Sequence, residues 1–168
     1  MISLTPVIAA LAAARPVLPG GLQWFRQVEG GAAFARVADM PSVPLPGCWV
    51  IRTGERSTPS GEREARVAVQ FDVVVAVTNV RMTTGGDADD ALLVYRQAVL
   101  SVLQELAPWP LQTVHAIERV GGQAIEYSAG DLWWKDSYTT TVLVSNYLPD
   151  PVIFDRVDNP NFGNGASL

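Results

Sequence analysis

The stretch Arg66–Val77, RVAVQFDVVVAV, decides the fold. Val67, Val69, Phe71, Val73, Val75 and Val77 alternate with Arg66, Ala68, Gln70, Asp72, Val74 and Ala76. Successive side chains of a strand point to opposite faces, so this unbroken period of two predicts a long strand with a buried odd face. The even face is small and partly polar, which suits water, a lumen or a second layer. Gln70 and Asp72 are therefore candidates for a lumen or interface surface, with a solvated sheet face as the plain alternative.

On the C-terminal side an amphipathic helix follows. Leu92, Tyr95, Val99, Val102, Leu103 and Leu106 recur at spacings of three and four, and Pro108 and Pro110 end the run. Asp87 is placed to cap it, with Asp89 and Asp90 in the first turn, where the helix dipole favours negative charge. Their spacing matches no calcium loop. Val114–Tyr127 reads as two short strands around a Gly121-Gly122 hairpin turn.

The next strand, GDLWWKDSYTTTVLVS from Gly130 to Ser145, sends Leu132, Trp134, Tyr138, Val142 and Val144 to one face, interrupted by Asp136 and Thr140. Trp133 then stands on a mostly polar face with Lys135, Ser137, Thr139 and Thr141. A large aromatic there requires a second packing partner, in the same chain or in another subunit. Residues 148–168 carry Pro, Asn and Gly without period and read as an extended C-terminal arm, with Phe154 and Phe162 as anchors on this body or on a neighbour.

On the N-terminal side, Thr53–Glu64 reads as a polar, exposed loop and Cys48–Arg52 as a short strand. Pro41, Pro44 and Pro46 break the region before it, and Leu22–Val28 reads as a strand. Thr5-Pro6 marks the start of a helix that Pro16 stops. That segment lacks the basic residues of an export signal before Arg15. Strands in runs rather than in strict β-α-β alternation predict one α+β domain over 1–147, with a mostly antiparallel or mixed sheet packed on two main helices.

Composition narrows function by exclusion. In 168 residues, 12 basic against 17 acidic side chains leave a net charge of −5, unsuited to gripping nucleic acid over a broad surface. No apolar run reaches the length of about 20 residues that spans a bilayer. Cys48 and His115 are the single cysteine and histidine. One cysteine forms no intrachain disulfide, which fits a reducing compartment, and the pair offers no conventional zinc site. Phosphate-loop, dinucleotide and hydrolase motifs are absent from the sequence. Asp72, Glu118, Glu126, Asp131 and Asp136 supply carboxylates on or near strands, but nothing in their spacing selects an acid–base pair. No catalytic, cofactor or metal site is expected.

The order of these elements, with the helix DDALLVYRQAVLSVLQELAPW and the closing strand carrying Trp134, Asp136 and Tyr138, resembles the tail terminator proteins of long-tailed bacteriophages. The likeness covers Leu4–Tyr147 and is most specific at the closing strand. It implies a structural protein of the virion, assembled in the host cytoplasm as a homo-oligomeric ring, typically a hexamer. Such a ring caps the tail tube at its head-proximal end, stops polymerisation of the tube protein and joins the head-side connector, with DNA only passing through. Trp133, Phe154 and Phe162 would then lie at subunit contacts, while Gln70 and Asp72 would face the lumen or an interface. A connector or stopper subunit shares this size and style. A small ligand-binding or enzymatic α+β domain, with Trp133 and Trp134 lining a pocket, is the reading from a different class.

Overall fold

In the computed structural model, residues 2–37, 40, 42–61, 64–78, 88–109, 112–128 and 131–145 are described. Their elements run α1 (Thr5–Ala13), a short 3₁₀ turn (Pro19–Gly21), β1 (Gln27–Gly30), α2 (Gly31–Phe34), β2 (Gly47–Pro59), β3 (Glu64–Thr78), α3 (Ala88–Gln104), β4 (Thr113–Ser128) and β5 (Asp131–Ser145). One five-stranded sheet has the order β1-β2-β3-β5-β4. β1 pairs with β2 in parallel and every other pairing is antiparallel, so the sheet is mixed and the domain is α+β.

β3 is the central strand, and the alternation that announced it holds. Val67, Val69, Phe71, Val73, Val75 and Val77 are all buried, and they meet Val7 and Leu11 of α1 and Leu92, Tyr95, Val99 and Leu103 of α3. This face forms the main core. Phe71 stacks on Tyr138 of β5, ring centroids 5.6 Å apart, joining the two neighbouring strands through buried aromatic rings. The opposite face carries a smaller cluster of Ala33, Trp49, Val74 and Ala76, covered by α2 and the segment after it.

Three local expectations are corrected. Thr53–Glu64 is no loop: β2 continues to Pro59 and pairs with β3 as far as Ala65, so only the tip of a long hairpin turns. Its outer half is exposed on both faces, and an element with no buried side shows no alternation to read. A register shift between Arg52 and Gly54 bulges the strand. A side chain at Gly54 would come within 2.9 Å of Gln70 Oε1, the free end of an exposed side chain that can swing aside.

The second correction concerns Gly121-Gly122, which lies inside one continuous strand, β4, rather than at a turn. Gly122 pairs with Asp136, and a methyl group on it would collide with Asp136 Oδ1, Trp134 Nε1 and Arg119 Nη2. Glycine is there for close approach, not for a hairpin.

The third is the strand expected over Leu22–Val28. Only Gln27–Gly30 form β1, while Trp24 and Phe25 pack against Tyr95 of α3, with centroids at 6.5 and 5.1 Å. Trp24 Nε1 donates to Leu11 O and the Tyr95 hydroxyl to Gln23 O, which ties this connection to both main helices. The proposed cap Asp87 and the arm 148–168 lie outside the described residues.

Candidate interaction surface

The second sheet face begins in an aromatic cluster. Register places Trp49 opposite Val74 and Ala76 opposite Trp133, so the two tryptophans come together on one side of β3. Trp133 stacks on Trp49 at 5.3 Å, and Phe34 of α2 closes over both, at 5.9 Å from Trp49 and 6.4 Å from Trp133. The second packing partner that Trp133 requires is thus found within the chain. Trp133 remains half-buried, with part of its ring at the surface.

Further along this face Asp72 is buried, at 6% exposure. Ser137 Oγ donates to its Oδ1 at 2.6 Å, and Lys135 Nζ stands 3.3 Å from Oδ2. The carboxylate is therefore neutralised from β5, and what this position presents outward is Lys135 and Ser137. Gln70, two residues before it, is exposed. Beyond Gln70 the face opens: Arg56 and Arg66 are exposed, and Ala68, Thr139 and Thr141 are half-buried on the same side of the sheet. Hydroxyls, two arginines and small side chains make a polar surface.

On the core side, Asp136 is the one carboxylate of β5 that faces inward, at 3% exposure. Arg96 of α3 grips it with two bonds, Nε to Oδ2 at 2.8 Å and Nη2 to Oδ1 at 2.9 Å. Arg119 of β4 adds Nε to Oδ1 at 2.8 Å, and Trp134 Nε1 donates at 3.2 Å. The Arg96 guanidinium also lies 4.0 Å above the Trp134 ring. Burial alone would raise the Asp136 carboxyl, but hydrogen bonds from Arg96 and Arg119, the Arg96 charge and the Trp134 N–H outweigh it and hold it below its ordinary value. Donors from a helix, an edge strand and its own strand converge on one side chain, an arrangement that locks three elements in register.

Groups that could do chemistry are kept apart. Cys48 is fully buried on β2, and burial pushes its thiol far up, away from the thiolate form. His115 is exposed on β4, three strand spacings across the sheet from Cys48 and seven residues further along it, so the two stand more than about 20 Å apart. Among the described residues no three His, Cys, Asp or Glu side chains gather as a metal site would need, and no helix is long and apolar enough to cross a membrane.

Of the sequence-predicted site residues, the structure gathers Trp133, Gln70 and Asp72 on one sheet face, with Gln70 at the surface, Trp133 half-covered and Asp72 beneath. Phe154 and Phe162 lie outside the described residues. Sequence reasoning missed Arg96, Arg119 and Phe34. A lone acid on an apolar strand face was a signal that basic partners must exist, but nothing in the spacing said which. A family model described as phage tail terminator protein matches residues 2–147. No curated protein matches the chain.

Proposed function

The chain belongs to the phage tail terminator family, a structural family of the phage tail, and from that premise we propose that it works as a ring that caps the tail tube. The ring ends polymerisation of the tube protein and offers its far side to the head connector, at the head-proximal end of the tail. Its action is steric and interfacial, without catalysis. The match over residues 2–147, nearly the whole described domain, carries this reading.

The form of the sheet supports it. A ring closes through a heterologous interface, so each subunit needs two different complementary patches, each of about 800 Å² in a standard interface. The domain has two unlike faces: helices α1 and α3 on one, and on the other a half-covered aromatic cluster grading into an open polar surface. We assign the exposed part of Trp133, with Phe154 and Phe162, to subunit contacts. Gln70 faces the lumen or an interface, and Asp72 acts from beneath by holding Lys135 and Ser137 in place. Tryptophan suits such a contact because it buries much area at small entropic cost.

Native mass spectrometry of the purified protein, alone and with tube protein, tests the ring. A closed hexamer that binds tube ends is expected. A monomer that ignores tubes at every concentration would refute the proposal.

A further inference from the structure

We propose that copies of this chain join edge to edge, residues 113–119 of β4 adding as an antiparallel strand to residues 52–59 of β2 in the next copy. This contact rests on the ring reading and supplies its head-to-tail joint. Two strand edges stand open among the described residues. β4 ends the sheet on one side and pairs only with β5. On the other side β1 covers β2 from Gly47 to Val50, and beyond Val50 β2 pairs only with β3. Both stretches present unpaired backbone N–H and C=O groups, which another strand satisfies.

The β4 edge is also apolar where it should be polar. Val114, Val120 and Ile125 are exposed, at 40%, 69% and 44%. Each falls within a register shift of β4, where a bulge turns a side chain out of the ladder. A long edge strand with exposed apolar side chains is a site for pairing with another chain.

Direction, level and charge select a second copy and its β2 edge as the occupant. Three successive antiparallel pairings, β2 with β3, β3 with β5 and β5 with β4, leave β4 running opposite to β2. A copy set beside the sheet without being inverted therefore meets it antiparallel, the more stable ladder. Arg56, Ala68, Thr141 and His115 form one row across the sheet, and Arg52, Phe71, Tyr138 and Arg119 form another. The two open stretches are thus level, and the rows of one copy run on into the next. β1 steps the edge outward at Val50, in the row of Gly122, and the β4 shift between Arg119 and Gly121 lies beside that step. Glu118, in the row of Gly54, comes diagonal to Arg56 of the next copy, a favourable pair. Arg119 and Arg52 meet already neutralised, by Asp136 and Glu55. The two edges differ, so the joint is head-to-tail, as a closed ring needs. Trp133 stands on β5, one strand in from the β4 edge, so its exposed part can reach the same neighbour.

Mild oxidation of the full-length Arg56→Cys/His115→Cys variant tests the joint. Within one chain these positions are three strand spacings apart, about 14 Å, beyond the reach of a disulfide. Buried Cys48 does not compete. A ladder of disulfide-linked multimers is expected from the double variant, and no linked species from either single variant. Linked dimers from His115→Cys alone would set β4 against β4 and overturn the joint. Native mass spectrometry of the unaltered protein, alone and with tube protein, separates the two readings. Rings without a ladder overturn the edge joint and leave the ring standing, while a monomer that ignores tubes refutes both. Hydrogen exchange on the unaltered protein guards against a misfolded variant: amides of residues 52–59 and 113–119 are expected to exchange about tenfold slower in the assembled protein than in the dissociated chain. Equal rates would overturn the joint.

Discussion

Trp133 and Trp49 lie stacked across the sheet, ring centroids 5.3 Å apart and planes 21° from parallel, although they sit on strands that do not pair with each other. They meet over Ala76, whose small side chain leaves room on β3 between them. The stack explains why a tryptophan stands on a polar strand face: it forms one wall of a secondary core that Phe34 completes. It also gives the residue two separable duties, internal packing and presentation of its remaining surface.

Those duties are separated by substitution. Trp133→Ala removes the stack and is expected to cost about 2 kcal/mol, less than a fully buried aromatic because the ring is half-covered. Trp133→Phe keeps most of the packing. Chemical denaturation with size-exclusion chromatography reads both: a variant with near-native stability and weakened oligomerisation places the exposed part of the ring at a contact, and unchanged assembly removes it from one.

Gly122→Ala forces a methyl group into Asp136, Trp134 and Arg119 and is expected to destabilise by about 1–3 kcal/mol. At Gly121 an added methyl meets nothing within 4 Å, so Gly121→Ala should change stability by under about 0.5 kcal/mol. Equal midpoints of denaturation for the two variants would contradict the close-approach role.

Asp136→Asn leaves Arg96 and Arg119 facing a neutral amide and is expected to cost about 3 kcal/mol near neutral pH. The folded carboxyl is held below its unfolded value of about 3.9, so its contribution is full above that pH and is lost as pH falls through the folded value. The stability gap between the native protein and Asp136→Asn should therefore narrow as pH drops from about 5 toward 2. A gap that stays constant over that range would show that Asp136 contributes nothing through its charge.

Cys48 is expected to react with a thiol reagent only when the domain opens, because it is fully buried and held as the thiol. Labelling should rise with denaturant in step with unfolding. Rapid labelling of the native protein would contradict the position of β2 inside the core.

Periodicity made the core legible and left its partners hidden. The odd face of β3 could be read residue by residue because six apolar side chains alternate without a break. The helix stripe from Leu92 to Leu103 was equally clear, since α3 packs only one side. The outer half of β2 was misread because neither of its faces is buried. Gly121-Gly122 was misread because glycine serves turns and close approach alike, and only the cross-strand neighbour, Asp136, decides between them. Arg96 is 40 residues and Arg119 17 residues from Asp136, so their convergence belongs to tertiary structure and leaves no local trace.

Negative-stain imaging of lysates from a phage lacking this gene tests the capping role most directly. Termination of tube growth predicts headless tubes of uncontrolled, excessive length. Tails of normal length, whether joined to heads or not, would contradict it.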